Sequence, residues 1–203
     1  MTIYLIRHGE TELNAARVLQ QPETPLGERG REQARRLAKH LADAGIVHIL
    51  SSDLLRAEQT ARALEGTTRA SLEFEPLLQE RNFGDLRGTA YADLDEDPFQ
   101  PGYAPPGGET GLDFRARVER AWERVVSASE GLGGALAVVS HGLVLQAMAL
   151  HHVDSGGLAA PDSPLRFRNT SYSVIEGPGP WSLAALGCDD HLEGMDDRDT
   201  GEA

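Results

Sequence analysis

The sequence predicts an α/β fold built on a mostly parallel sheet. Three short apolar runs, Ile3-Tyr4-Leu5-Ile6, Val47-His48-Ile49-Leu50 and Ala135-Leu136-Ala137-Val138-Val139-Ser140, read as buried strands. Between them lie longer segments with helical periodicity, and strands alternating with helices are the pattern of a parallel sheet. The first and third of these strands each run directly into a histidine followed by a glycine.

The elements follow in order. After the first strand, residues 12–26 read as a loop, because Asn14, Gln20, Gln21, Pro22 and Pro25 break any period. A helix is expected from about Glu28 to Ala44, with Ala34, Leu37, Ala38 and Leu41 as its buried stripe and Gly45 ending it. The second strand, 47–50, leads to Asp53, which is placed to cap a helix running to about Leu64. Leu72 to Phe74 read as a third strand. Residues 76–111 are irregular and rich in proline and glycine, an insertion of the kind that serves as a lid. A long helix from about Thr110 to Ser129 turns Val118, Trp122, Val125 and Val126 inward. Strand 135–140, helix 143–152 and two last strands, Tyr172–Ile175 and Ser182–Leu186, complete the series, the last two separated by Gly177-Pro178-Gly179-Pro180. No repeat or long linker divides the chain. Residues 1–192 read as a single domain and 193–203 as an acidic, disordered tail.

Composition narrows the function. The 203 residues are 40% hydrophobic and 25% charged, enough for one substantial core. No apolar run approaches the roughly 18 residues of a membrane span, and the opening run is too short for a signal peptide. The single Cys188 makes no internal disulfide, which fits a reducing compartment, so a cytoplasmic location is expected. A net charge of -13 argues against nucleic acid or an anionic membrane as a partner. Lys39 is the only lysine; every other cationic side chain that could grip an anion is arginine, which suits bidentate contact with phosphate oxygens.

The chemistry gathers at strand ends, where open α/β sheets bind ligands. Arg7-His8-Gly9 leaves the first strand and His141-Gly142 leaves the third. A neutral imidazole is a competent nucleophile toward phosphorus. Arg7 disfavours the imidazolium form of His8 and would neutralise a transferring group. Gly9 allows close backbone approach and offers a carbonyl to fix the tautomer. Arg56, in the first turn of the helix after Asp53, reaches the same edge. His141 and the helix beginning at Gly142 add a further anion site. Glu80 is the candidate proton donor, since a carboxyl beside a bound dianion is held protonated. Glu10 and Glu109 are alternative carboxyls, and Glu109 equally suits a helix cap or a brace for an arginine. Asn14 reads as a turn former or a polar contact of the site, and Arg56 also has Glu10 and Asp53 within reach as partners. His40 and His48 read as surface or packing residues, His151-His152 as a solvated pair and His191 as structural. No His-x-x-x-His or carboxylate cluster stands at metal-ligand spacing, and no Walker-type glycine loop is present, so no metal or other cofactor is expected.

Arg7-His8-Gly9-Glu10-Thr11 with Asn14 three residues on, Ser52-Asp53-Leu54-Leu55-Arg56-Ala57-Glu58-Gln59-Thr60-Ala61, Leu78-Gln79-Glu80 with Gly84 and Gly88, Gly107-Gly108-Glu109-Thr110, Ser140-His141-Gly142 and Asp190-His191-Leu192 fall in that order along the chain. Together they resemble the motifs of the histidine phosphatase superfamily, in its phosphoglycerate mutase-like branch. The resemblance implies a three-layer, doubly wound sandwich with helices on both faces. It implies His8 as the phosphorylated nucleophile and Glu80 as the proton donor. Arg7, Arg56 and His141, with Asn14 and Gly142, would bind the phosphoryl group of a small-molecule phosphate ester, without metal.

Departures refine the expectation. Arg87 stands where the family often has an aromatic residue, and Thr110 replaces a serine. Residues 88–114 contain Asp93, Asp95, Glu96, Asp97, Glu109 and Asp113 but no lysine or arginine. That balance makes a poor clamp for a second anionic group, which favours a phosphatase over a mutase and a substrate whose remainder is neutral or cationic. The readings carried forward are a phosphomonoester hydrolase, a phosphoglycerate mutase using the same phosphoenzyme, and a non-catalytic phospho-ligand-binding regulator. The intact His8, Glu80 and His141 speak against the last.

Overall fold

The structure is a computed structural model that describes residues 1–100, 102–158 and 166–195. Its strands are β1 (Thr2–Arg7), β2 (Ile46–Ser51), β3 (Ser71–Phe74), β4 (Ala135–Ser140), β5 (Val153–Asp154), β6 (Tyr172–Glu176) and β7 (Trp181–Cys188). Its helices are α1 (Glu12–Ala15), α2 (Glu28–His40), α3 (Leu55–Thr68), α4 (Gly111–Ser129) and α5 (Gly142–His152). The strands form one sheet in the order β3-β2-β4-β1-β6-β7-β5. Neighbours β3, β2, β4 and β1 are parallel; β6 runs antiparallel to both β1 and β7, and β5 is parallel to β7. The sheet is therefore mixed but mostly parallel, as the strand–helix alternation predicts.

Two cores cover its faces. On one, Ile3, Leu5, Leu136 and Val138 meet Val118, Trp122 and Val125 of α4 and Val144, Leu145 and Met148 of α5. On the other, Ile6, Ile49, Ala137 and Val139 meet Leu37 and Ala38 of α2 and Ala57, Ala61 and Leu64 of α3. Every residue of β4 is buried, which is why that run shows no alternation. Burying one such side chain is worth roughly 1.5–3 kcal/mol, against about 0–1 kcal/mol for an exposed ion pair. The strands that carry the site are thus fixed by their apolar flanks rather than by surface charges.

Several boundaries differ from expectation. α2 ends at His40, and Leu41 to Ala44 tighten into turns closed by Ala44 N–H donating to Leu41 O at 3.1 Å. Gly45 still reverses the chain, at φ +70°. Residues 12–15, read as loop, form the short helix α1, because Thr11 and Asn14 cap it reciprocally. Asp53 is not the cap of α3. Leu54 holds that position, its N–H donating to Ser52 Oγ at 3.2 Å, while Asp53 accepts from Gln79 Nε2 at 2.7 Å. Strand β5 escaped notice, being two residues long. His152 is not solvated: it stacks on Trp122 at 5.0 Å and pairs with Glu119 at 3.2 Å. Among its described residues the insertion contains three 3-10 turns, Pro76–Leu78, Gly84–Leu86 and Tyr91–Asp93. Of the expected tail, residues 196–203 lie outside the described residues; the turn at 193–195 is tied to α2 by Arg36 donating to Glu193 O at 3.0 Å.

Candidate active site

Sheet order brings the predicted residues together. β4 lies between β1 and β2 and parallel to both, so the three carboxyl ends stand side by side. The ladder continues one step past each strand, with His8 N–H donating to Ser140 O at 3.0 Å and Ser52 N–H to Val139 O at 2.9 Å. Arg7, His8, Arg56 and His141 are all buried. The His8 and His141 rings are 5.0 Å apart, inclined at 59°.

The protonation of His8 follows from its contacts. Nδ1 is 2.7 Å from Gly9 O, which accepts the ring proton and leaves Nε2 with a lone pair. Arg56 Nε–H donates to that lone pair at 3.3 Å. Burial first, then Arg56 and Arg7, hold His8 well below the ordinary histidine range, against the Gly9 hydrogen bond. Burial and the same arginines depress His141 too. His141 Nε2 lies 2.9 Å from Ser52 Oγ. If Ser52 gives its proton to Nε2, the ring proton lies on Nδ1, which has no hydrogen-bond partner among the described residues. Two neutral imidazoles are thus buried together with two guanidiniums, a setting for a dianion.

Gly9 is required by packing. A Cβ there would sit 2.6 Å from Gly30 O, so α2 approaches this turn directly. Gly9 N–H donates to Thr60 Oγ1 at 3.0 Å, which ties the turn to α3 as well.

The carboxyls separate cleanly. Glu10 turns away to Arg29 of α2, at 3.1 Å. Glu109 is gripped at both oxygens by Arg117, at 2.7 and 2.8 Å. Glu80 lines the cleft beside Arg56. Its carboxylate accepts from Arg81 N–H at 2.8 Å and from Leu143 N–H, in the first turn of α5, at 3.3 Å. Asn14 is buried next to the site with its Oδ1 accepting from Thr11 N–H and Oγ1, both at 3.2 Å, and from Asn169 Nδ2 at 3.4 Å. Its oxygen is therefore a capping group, and its amide N–H is what it can offer a ligand. Gly142 opens α5, with His141 as the cap residue.

A model of the histidine phosphatase superfamily, branch 1, matches residues 3–187. The chain belongs to that superfamily. Among its curated relatives, a probable phosphoglycerate mutase GpmB of Enterobacter sp. (strain 638) is 32% identical, over 89% of this chain and 87% of that protein. Among solved structures, Bacillus stearothermophilus YhfR superposes with a TM-score of 0.79 at 30% identity, covering 95% of this chain and 99% of that one. A mycobacterial glucosyl-3-phosphoglycerate phosphatase, Rv2419c, superposes with a TM-score of 0.76 at 28% identity, covering 92% and 99%.

Within this histidine phosphatase fold, three contributors were not read from the sequence. The segment before β6 reaches the site because β6 runs backwards, so its start lies at the edge where β1 ends. Phe167 O accepts from Arg7 NH1 at 2.7 Å, and Asn169 Nδ2 donates to His8 O at 3.0 Å. Ser52, inside a quoted motif, positions His141. Arg117, from α4, donates to Leu77 O and Gln79 O, both at 2.7 Å, and to Glu80 O at 3.4 Å, which fixes the backbone that carries Glu80. The base of the insertion is pinched shut there: Glu109 N–H donates to Asn82 O and Asn82 N–H to Glu109 Oε2, both at 2.8 Å. The Asn169-Thr170-Ser171 run just before a predicted strand was the available signal for the first; Arg117, one of four arginines in an amphipathic helix, gave none for the last.

The acid-rich insertion needs correcting. Asp93, Asp95, Glu96, Asp97 and Asp113 are exposed, and Glu109 is committed to Arg117. The cleft wall instead carries Arg56, Arg81 and Arg87 together with Glu80. The charge count over 88–114 therefore bears neither on the charge of the cleft nor on the choice between hydrolysis and isomerisation. Among the described residues no group of three or more His, Cys, Asp or Glu side chains is arranged to hold a metal ion. No helix among them is long and apolar enough to cross a membrane.

Proposed function

We propose that this protein is a metal-independent phosphomonoesterase that works through a phosphohistidine, on a small phosphorylated metabolite. The carrying observation is the unprotonated Nε2 of His8, held neutral between two arginines and beside a second imidazole. The ester's phosphoryl group docks among Arg7, Arg56 and His141, and Arg56 turns its N–H from His8 to a phosphoryl oxygen. Nε2 attacks phosphorus, the P–O bond to the alcohol breaks, and its electron pair leaves on oxygen with the proton of Glu80. Water then attacks the phosphohistidine and passes a proton to Glu80 as the P–N bond breaks, which returns His8 neutral. The arginines act chiefly by matching charge in the transition state. The likeness to a solved phosphatase supports the hydrolytic reading.

The test is free phosphate released from a panel of phosphate esters by the wild type and by His8→Ala, with and without EDTA. Release that needs His8, survives the chelator and passes through an acid-labile phosphoprotein is expected. Full activity in His8→Ala refutes the mechanism, and loss in EDTA restored by a divalent metal refutes its metal independence. The name of the curated relatives favours a second reading, an isomerase. That reading requires phosphoglycerate to be interconverted after priming by a bisphosphate, with little net phosphate release.

A further inference from the structure

The segment from Phe167 to Ser171 is a strap around the Arg7–His8 pair. Phe167 O accepts from Arg7 NH1 at 2.7 Å, and Ser171 O accepts from Arg7 N–H at 3.2 Å. Thr170 N–H is shared between Arg7 O at 3.1 Å and His8 O at 3.3 Å, and Asn169 Nδ2 donates to His8 O at 3.0 Å. His8 O therefore accepts from two donors of the strap. The same peptide unit is held at its other end, where Gly9 N–H donates to Thr60 Oγ1 at 3.0 Å. These contacts bear on the chemistry because the next carbonyl, Gly9 O, fixes the tautomer of His8. Glycine restrains its own torsions least of all residues, so this turn needs pins from outside.

One of the pins is out of the ordinary. Thr170 lies at φ +59°, in the left-handed region, and is wholly buried. A β-branched residue is an outlier there, and such a conformation persists only where its surroundings enforce it. Relaxing φ to negative values would re-route the strap, and with it the N–H that both carbonyls share. The enforcing contact is His191, whose Nε2 lies 3.2 Å from Thr170 Oγ1. His191 stands on the 3-10 turn Asp190–Leu192 after β7, its ring 5.7 Å from that of His40 on α2 and 6.3 Å from that of Tyr172 on β6. Arg36 ties that turn to α2, and Arg168 of the strap pairs with Asp189 at its start, at 2.8 Å. The hydroxyl of Thr170 is thus anchored on a part of the fold that is itself fixed.

We propose that His191 is a positioning residue for the nucleophile: through Thr170 Oγ1 it holds a strained turn whose amide sets the backbone of Arg7 and His8. The proposal deepens the phosphotransfer reading above and rests on it for the role of His8. It gives a consequence for turnover to a histidine expected to be only structural.

Substitutions at both ends of the contact test it, with kcat and KM read on a phosphate ester that the wild type hydrolyses. His191→Ala should lower kcat by about tenfold or more and move KM far less, since a small misplacement of a reacting group is costly. His191→Gln, whose amide nitrogen reaches about as far as Nε2, should regain part of the loss. Thr170→Ala keeps a Cβ at positive φ without the hydroxyl and should lose as much as His191→Ala. Thr170→Gly removes the strain, so it should be more active than Thr170→Ala, and adding His191→Ala to it should cost little more. A histidine that served only the fold would cost the same in either background. A wild-type kcat in His191→Ala or Thr170→Ala, a glycine variant no better than the alanine one, or an equal cost of His191→Ala in both backgrounds overturns the proposal. The NMR signal of the His8 Nδ1 proton gives a readout without turnover. It should be lost to exchange in His191→Ala and Thr170→Ala and kept in Thr170→Gly, with or without His191. Its persistence in all of these variants also overturns the proposal. A wild type that turns over no ester, with the signal lost and kept as expected, would discard the phosphatase reading and keep the role of His191.

Discussion

Arg56 Nε lies 3.3 Å from His8 Nε2 and points its proton at the lone pair that must attack phosphorus. The nitrogen proposed as nucleophile thus accepts a hydrogen bond from the arginine proposed to hold the phosphoryl oxygens. The contact also accounts for part of the low basicity of His8, after burial.

Replacing Arg56 by alanine removes both effects. We expect kcat to fall by about 10²–10³, the cost of losing one preorganised donor to developing charge. Because Arg56 lowers the His8 pKa, its loss raises it, and the acid limb of the kcat/KM profile moves to higher pH. A pH–rate profile or an NMR titration of the imidazole reads the shift. An acid limb that stays in place would show that burial alone keeps His8 neutral.

Arg117→Ala frees the carbonyls of Leu77, Gln79 and Glu80 and strands the half-buried Glu109 carboxylate. Activity should fall through kcat more than KM, because the proton donor loses its seat. The loss should be large for an alkyl phosphate, whose alkoxide needs a proton, and small for p-nitrophenyl phosphate, whose leaving group does not. Glu80→Gln should show the same contrast. Equal losses on both esters would mean that Arg117 serves only the fold.

Gly30→Ala should destabilise, since a Cβ there would collide with the backbone of Glu10. Overpacking of this kind costs about 1–3 kcal/mol, a fall in Tm of roughly 2–4 °C per kcal/mol at this size. Gly66→Ala is the converse: it lies in α3 with open space around it, and should stabilise by about 0.5–1 kcal/mol. Thermal melts of the pair decide. A Gly30 variant as stable as the wild type would show that α2 can retreat from the site turn at no cost.

Stability should decline in acid. Burial, then His40, push His191 down to about 4, and His8 and His141 are also depressed. Below the unfolded value of about 6.5 the unfolded chain takes up protons that the folded one refuses. Stability is therefore full above about 6.5 and falls as pH drops toward 4. Tm should be lower at pH 5.0 than at pH 7.5, and His191→Gln should narrow the gap. No narrowing would place the acid sensitivity elsewhere.

The sequence spelled out the parts of this site that leave a strand at once. Arg7, His8 and His141 follow β-branched runs that only a buried strand explains, so their meeting needed only a parallel sheet. Arg56 was readable because the helix after Ser52-Asp53 starts just past a strand, although the cap itself fell to Leu54, with Ser52 rather than Asp53 accepting its amide. Asn169 was hidden by the reversal of β6, since one antiparallel strand changes which end of a segment meets the edge. The acids between Asp93 and Asp97 misled because an irregular segment has no period to say which side faces water.

The crossed hydrogen bonds between Asn82 and Glu109 close the insertion at its base, while Gly88, Thr89 and Tyr91 tie its first part to residues 17–19. Ring closure at the base is already made, and lengthening a closed loop costs only about 0.6 kcal/mol per doubling. The segment beyond those ties can be treated as an exchangeable cassette: grafts of different length and character, seated on the same base, should retune what the protein selects while the phosphorus chemistry beneath is left untouched.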